Sequence, residues 1–204
     1  MTQLTSKEAH MTADHRADLI RSYQLAADIA TGVRAEQLAG ATACPDFDVA
    51  GLVDHLVGAA WRAVALGRGE QPTGAEEFPT VELADAPDQL RRAGDEAKEA
   101  WAEDARLTAT TTMPWGEIYD GRTVVNMYLA ELTAHSWDLA HATGQLDRLD
   151  PTLAAPALDG ARAMLKPDYR DLMGKGSPFG AEIPAPSDAS DWERFAAFMG
   201  RQPR

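Results

Sequence analysis

The sequence predicts an all-α fold in which four main helices form a bundle and shorter helices follow toward the C-terminus. Apolar residues recur at steps of three and four through four long segments, the spacing that places them on one face of a helix. Segments rich in Gly and Pro separate the helices, and no series of alternating polar and apolar residues predicts a sheet. At 204 residues, the chain has the size of one domain with a single hydrophobic core.

The first two helices are predicted from their periodicity and from the residues at their ends. The first covers residues 13–34, where apolar residues share one face and Gly32 suits the C-terminal end. The second covers residues 49–66, and Asp48 is a suitable N-cap because its carboxylate can accept a backbone N–H of the first turn.

The third and fourth helices follow the same logic. The third is predicted over residues 86–105, with Pro87 in the first turn, where its missing N–H is tolerated. The fourth is predicted over residues 123–143 and ends before Gly144, which suits a left-handed C-terminal cap. The Thr-rich segment 108–123 is predicted to be a loop or a short extended segment.

The remaining chain is predicted to belong to the same domain, which spans residues 1–204. Residues 1–12 are expected to be mobile, and residues 145–204 are expected to form an extension that packs on the bundle. Within this extension we predict one helix containing residues 158–165 and a closing helix over residues 191–200.

Charge and cysteine content exclude several classes of protein. The formal net charge of −13 disfavours a nucleic-acid partner and an anionic membrane surface, because both are bound through Lys and Arg. No apolar leader and no uninterrupted membrane-length apolar run is present, so we expect a soluble, cytoplasmic monomer or homodimer. The single cysteine, Cys44, excludes an internal disulfide framework and is predicted to be a small packed thiol.

Three side chains on two predicted helices form a candidate metal site. Glu131 and His135 are four residues apart and therefore lie on one face of the fourth helix. His55 lies on the apolar face of the second helix. Taken singly, such residues are more often a surface pair and a hydrogen-bonded core histidine. Together they make a His₂Glu set, which catalytic zinc sites use with one position left open and which also suits iron or nickel.

Asp138 is the next candidate, three residues after His135 and on about the same face. It is predicted to orient His135 as a hydrogen-bond acceptor behind the metal ligands, or to act as an extra ligand, or to satisfy local hydrogen bonds only. His141 is predicted to be a surface residue, and His10 and His15 to lie in the mobile N-terminus. Five apolar side chains could line a pocket beside the metal site, although such residues at helical spacing are more often part of the hydrophobic core. They are Trp61, Trp101, Trp115, Trp137 and Met127.

Three motifs resemble one known family. Residues 42–58 (TACPDFDVAGLVDHLVG), 130–145 (AELTAHSWDLAHATGQ) and 177–203 are similar to segments of actinobacterial proteins grouped with the metal-binding domain of mycothiol-dependent maleylpyruvate isomerase. This group belongs to the DinB-like superfamily, and the resemblance runs from Thr12 to Pro203. It implies a DinB-like four-helix bundle with a divalent metal held between the second and fourth helices.

The resemblance also implies a site and a chemistry. The family's metal ligands fall on His55, Glu131 and His135, and zinc is expected before iron or nickel. In the family's isomerase the metal activates the thiol of mycothiol, and a separate α/β domain completes the active site. We expect no such domain in the residues after the fourth helix, and therefore a different reaction of an electrophilic substrate with mycothiol or a similar low-molecular-weight thiol.

The sequence is compatible with three types of reaction and with two non-catalytic functions. In order of preference, the reactions are a thiol S-transfer, a thiol-dependent isomerisation and a metal-assisted hydrolysis. The first non-catalytic reading is a metal-binding or stress-related module with a structural metal. The second is a polar core that holds no metal, in which the three side chains hydrogen-bond to one another.

Overall fold

Helices make up most of the structure, a computed structural model that describes residues 13–71, 80–113, 116–165 and 179–202. These residues contain seven α-helices and one two-stranded hairpin. The helices are α1 (Arg16–Thr31), α2 (Val49–Arg68), α3 (Ala86–Ala100), α4 (Ala105–Thr108), α5 (Gly121–Thr143), α6 (Ala154–Met164) and α7 (Asp191–Phe198). The strands are β1 (Thr110–Thr112) and β2 (Ile118–Asp120), and single 3₁₀ turns cover Ala35–Gln37 and Leu146–Arg148.

Four long helices, α1, α2, α3 and α5, surround one core. Helices α1 and α2 each pack against both α3 and α5, while α1 and α2 barely touch and therefore lie diagonally across the bundle. Helix α6 packs on α5, and α7 packs on α6. The prediction of an all-α, DinB-like four-helix bundle with short C-terminal helices is confirmed.

Two buried aromatic side chains of the core, Tyr23 and Trp101, donate hydrogen bonds to backbone carbonyls. The Tyr23 side chain is fully buried, and its hydroxyl donates a 3.0 Å hydrogen bond to the carbonyl of Ala60. Trp101 donates from Nε1 to the carbonyl of Ala63 at 3.1 Å. These bonds join α1 and the end of α3 to the middle of α2, so they fix the helix that carries His55.

The ends of the two site-bearing helices are set by local signals. Asp48 accepts the Gly51 N–H at 2.8 Å and begins α2, as predicted. Asp120 accepts the Thr123 N–H at 2.8 Å, which begins α5 at Gly121, two residues before the predicted start. Gly144 ends α5 in the left-handed conformation with φ 73°, which confirms the predicted cap.

Other boundaries differ from the predictions. Helix α3 ends at Ala100 and not at residue 105, because Trp101 leaves the helical path to bury its indole against α2. The Thr-rich segment forms the antiparallel hairpin of β1 and β2, which agrees with the extended alternative. Helix α6 begins at Ala154, and α7 stops at Phe198. Residues 1–12, predicted to be mobile, lie outside the described residues.

Helix α2 is long and apolar enough, by length and composition alone, to cross a membrane. Within the bundle, 61% of its apolar stretch is buried against neighbouring helices. Its apolar character therefore has a direct explanation in the core of this fold.

Candidate metal centre

The three predicted ligands converge between α2 and α5. His55 Nε2 lies 2.8 Å from Glu131 Oε1, and His135 Nε2 lies 3.6 Å from the same oxygen. One nitrogen of each ring and a carboxylate oxygen all lie within 4.8 Å of one another. Because α2 packs directly on α5, residues separated by 76 positions in the chain meet at one point.

Burial of the trio is uneven. The His135 side chain is 0% exposed, that of His55 11%, and that of Glu131 19%, so Glu131 is the most exposed of the three. Among the residues that the structure describes, His135 Nε2 is buried without a hydrogen-bond partner. A buried polar atom left in this state costs about 1–3 kcal/mol, which a bound cation would offset. Two imidazole nitrogens and a carboxylate oxygen are also ligands that divalent transition metals accept, so the trio could hold such an ion.

Electrostatics in the trio favour a bound positive charge. Burial alone would lower the pKa of His135, but the Glu131 carboxylate and the hydrogen bond to Asp138 outweigh it and raise the pKa to about 9. Burial opposes ionisation of Glu131, yet His135 and His55 hold the pKa of that carboxyl well below its usual range. The metal-free site therefore retains a proton that a metal ion would displace.

Asp138 lies behind His135, on the side away from Glu131. His135 donates from Nδ1 to Asp138 Oδ2 at 3.0 Å, and Arg201 donates to both carboxylate oxygens, at 3.0 and 2.8 Å. Burial raises the pKa of Asp138, but the bonds from His135 and Arg201 lower it further than burial raises it. Asp138 thus accepts a hydrogen bond from His135, a contact that the first of the arrangements left open by the sequence requires.

Two phenylalanine rings contact the site histidines. Phe47 lies 4.7 Å from the His55 ring, and Phe179 stacks on His135 at 6.1 Å and 28°. Trp137 stacks instead on His141, which is exposed as predicted. Trp115 lies outside the described residues.

Cys44 forms a second possible ligand set with His135 and Asp138. The thiol is fully buried, as predicted, and burial raises its pKa. The Arg201 guanidinium already occupies both oxygens of Asp138 and would repel a cation there. The trio with His55 is therefore the better metal site.

Sequence reasoning missed Arg201, Phe179 and the position of Cys44. The only available signal was Asp138 itself, because a carboxylate on a buried helix face requires a charged or hydrogen-bonding partner. His15 was predicted to lie in a mobile segment; this is wrong. His15 is 8% exposed, immediately precedes α1 and donates from Nδ1 to Asp18 at 3.1 Å.

Two cavities in the described part of the chain lie away from the trio. One, of about 700 Å³, lies between α1, α2 and residues 80–87, beside Asp54. The other, of about 80 Å³, lies beside Asn126 and Arg122. Neither of these two cavities is lined by a residue of the trio.

Comparison with known proteins agrees with this architecture. A family model described as the mycothiol maleylpyruvate isomerase N-terminal domain matches residues 21–140, which include all three residues of the trio. Two relatives from two strains of Mycobacterium tuberculosis, both described as uncharacterized proteins, are each 33% identical over 195 residues, covering 92% of this chain and 100% of the relative. No solved structure matches significantly. The family resemblance seen in the sequence is confirmed, and the chain belongs to the mycothiol maleylpyruvate isomerase N-terminal domain family.

Proposed function

We propose that this protein binds one divalent metal ion through His55, Glu131 and His135 and uses it to activate a thiol or a water molecule. Zinc is the first choice of metal, with iron and nickel as alternatives. The observation that carries the proposal is the buried Nε2 of His135, which has no hydrogen-bond partner among the described residues and faces the same carboxylate oxygen as His55.

A catalytic role is favoured by the number of side chains available to the metal. Structural zinc sites are usually closed by four protein ligands, whereas catalytic sites keep a position open. The trio supplies three ligands, and the nearby carboxylate of Asp138, which could otherwise be a fourth, is held by His135 and Arg201. Glu131 is 19% exposed, which leaves an approach for a small molecule. A bound divalent ion supplies Lewis acidity that lowers the pKa of a coordinated thiol or water.

The surrounding residues have separate tasks in this proposal. Asp138 accepts the Nδ1 proton of His135 and so keeps Nε2 directed at the site. Phe47 and Phe179 lie against the histidine rings and exclude water from them. Glu131 offers its carboxylate at the solvent edge, where the thiol would enter and release its proton.

Family membership supports the class of reaction. The family is named for a maleylpyruvate isomerase that depends on mycothiol, so we propose mycothiol or a similar low-molecular-weight thiol as the co-substrate. In an S-transfer, the thiolate sulfur would form a bond to an electrophilic carbon of the second substrate, the bond from that carbon to a leaving group would break, and the leaving group would depart with the electron pair; the thiol proton would pass to solvent. In an isomerisation, the sulfur would add to one carbon of a conjugated double bond while the π electrons move to the substrate carbonyl. After rotation about the new single bond, the carbon–sulfur bond would break, the double bond would re-form and the thiolate would be released.

Metal content tests the first part of the proposal. Purified wild-type protein is expected to hold a single divalent ion per chain by mass spectrometry, and a Glu131→Gln, His135→Gln double variant is expected to hold none. His141→Gln is the matched control, because His141 is an exposed histidine of the same helix. Equal metal content in the double variant and the wild type would refute the assignment of the trio.

A non-catalytic metal-binding or stress-related module is the second candidate. It is favoured by the burial of the two histidine side chains, of which His135 is 0% exposed and His55 11%. Thiol-dependent conversion of an electrophile such as maleylpyruvate in the presence of mycothiol separates the two candidates, whether the thiol is consumed, as in an S-transfer, or regenerated, as in an isomerisation. Conversion that requires the metal and is lost in the double variant supports the enzyme. Full metal content without conversion across a panel of thiols and electrophiles supports the structural metal.

A further inference from the structure

Arg201 follows α7 and reaches into the interior of the protein. The residue is 4% exposed, and its guanidinium donates from Nε to Asp138 Oδ1 at 3.0 Å and from Nη2 to Oδ2 at 2.8 Å. A third bond runs from Nη1 to the carbonyl of Met199 at 2.8 Å. This is the two-point grip on a carboxylate that only arginine can make, because its donors form a rigid planar fork.

The hydrogen bonds from Arg201 to Asp138 are linked to His135 through a shared carboxylate oxygen. Asp138 Oδ2 accepts from Arg201 and also from His135 Nδ1, at 3.0 Å. With both oxygens held by the guanidinium, the carboxylate cannot rotate away from the imidazole. The opposite ring nitrogen, Nε2, is the atom that faces Glu131. The orientation of a proposed ligand atom therefore depends on a side chain from the far end of the chain.

Phe179 reinforces the same contact. Its ring stacks on His135, and the Arg201 guanidinium lies 5.4 Å from its centroid. Phe179 and Arg201 both lie outside residues 21–140, the part of the chain that the family model matches. The C-terminal segment thus adds two contacts to a site whose proposed ligands all lie within the family domain.

A glycine turn delivers Arg201 to this position. Gly200 has φ 78°, and a Cβ there would lie 2.6 Å from the Cα of Gly180. The Arg201 N–H then donates to the carbonyl of Ala196 at 2.9 Å. The close approach of the two glycine backbones brings the segment with Phe179 beside the segment with Arg201.

We propose that Arg201 is a positioning residue of the metal centre, which holds the His135 ring in place through Asp138. The proposal rests on the proposed metal-binding function. It makes the C-terminal segment a working part of the site and not only a cover over the bundle.

A lysine substitution separates the effect of bidentate hydrogen bonding to Asp138 from the effect of the positive charge. Arg201→Lys keeps a positive charge near Asp138 but loses the planar fork, so it cannot hold both oxygens in the same way. Loss of a partner behind a metal ligand weakens metal binding roughly 10–100-fold, and we expect a loss of about tenfold for Arg201→Lys. The matched control is Arg194→Lys on the exposed side of α7, where Arg194 pairs only with the exposed Asp191 among the described residues.

Three measurements on the full-length protein test the proposal. Competition with a chelating dye gives the zinc affinity, and the visible spectrum of the cobalt(II)-loaded protein reports the ligand geometry. Nuclear magnetic resonance of the metal-free protein follows the Nδ1 proton of His135. Arg201→Lys is expected to weaken zinc binding, change the cobalt spectrum and shift the Nδ1 proton signal, whereas Arg194→Lys changes none of them.

Further variants show whether Arg201 acts through Asp138. An Asp138→Asn, Arg201→Met double variant removes both buried charges, which protects folding if Arg201→Lys is unstable. It is expected to bind zinc no more weakly than Asp138→Asn alone, because the two residues act as one unit. A clearly larger loss in the double variant would overturn the route through Asp138.

Other outcomes are equally decisive. The proposal would be overturned if Arg201→Lys kept the zinc affinity, the cobalt spectrum and the Nδ1 signal of the wild type. It would also be overturned if Arg201→Gln bound zinc more tightly, because Arg201 would then act only by repelling the metal ion. If the wild type binds no metal, the proposed function fails. In that case the Nδ1 signal of the metal-free protein still tests whether Arg201 positions the His135 ring. A shifted signal in Arg201→Lys would support this positioning role, and an unchanged signal would overturn it.

Discussion

Raising the pH of the metal-free protein is expected to destabilise it, because folding holds a proton on His135. Burial disfavours the charged ring, but Glu131 and Asp138 outweigh burial and raise the pKa of His135 from 6.5 to about 9. A group whose pKa is higher in the folded state contributes stability that is complete below its unfolded pKa and is lost as the pH rises through its folded pKa. The window of loss therefore runs from pH 6.5 to about pH 9.

The size of this loss of stability follows from the difference between the folded and unfolded pKa of His135. At roughly 1.4 kcal/mol for each pKa unit, that difference corresponds to about 3 kcal/mol of unfolding free energy. No reduction for solvent screening is needed, because the His135 side chain is 0% exposed. This is a large part of the stability of an ordinary domain, about 5–15 kcal/mol.

Urea denaturation of chelator-treated protein measures this loss. The unfolding free energy is expected to fall by about 3 kcal/mol across the window, with an unchanged denaturant slope. His135→Gln should be much less dependent on pH there, whereas His141→Gln should behave like the wild type. A wild-type stability that stays level or rises between pH 6.5 and 9 would refute the reasoning.

Three further predictions concern the same network. Zinc affinity is expected to rise with pH by up to about tenfold per unit below the pKa of His135, because the metal displaces one proton; calorimetry in two buffers of different ionisation enthalpy measures the proton, and no release would contradict it. Asp138→Asn should lower the unfolding free energy by about 3–5 kcal/mol in the metal-free protein, since it removes the charge of the buried carboxylate to which Arg201 donates two hydrogen bonds; a loss below about 1 kcal/mol would show that this ion pair contributes little to stability. Gly200→Ala should cost more than Gly144→Ala in thermal unfolding, because both glycines have positive φ but only the first would place its Cβ against backbone. Equal losses would argue against the close approach.

Most of the fold and the three residues of the trio could be predicted from local signals in the sequence. Asp48 and Gly144 mark helix ends by their own chemistry, so the limits they set needed no tertiary information. Glu131 and His135 share a face by helical spacing alone. His55 stood out because a polar ring on an apolar face requires a partner, and the packing of α2 on α5 supplies it.

Features that depend on distant contacts were beyond this reasoning. Arg201 meets Asp138 across 63 positions, and nothing near either residue selects the other among the arginines of the chain. The early end of α3 has a similar origin, because helical periodicity continues past Trp101 while its indole docks on α2. Cys44 was identified as a packed thiol, but its position beside His135 follows from how the loop before α2 meets α5.

Anomalous diffraction from crystals of the metal-loaded protein tests the central claim most directly. The account predicts one anomalous peak, bonded to His55 Nε2, His135 Nε2 and the Glu131 carboxylate, with Asp138 on the opposite side of the His135 ring. A peak bonded to Cys44 and Asp138, or no peak at the trio in crystals soaked with zinc, would contradict it.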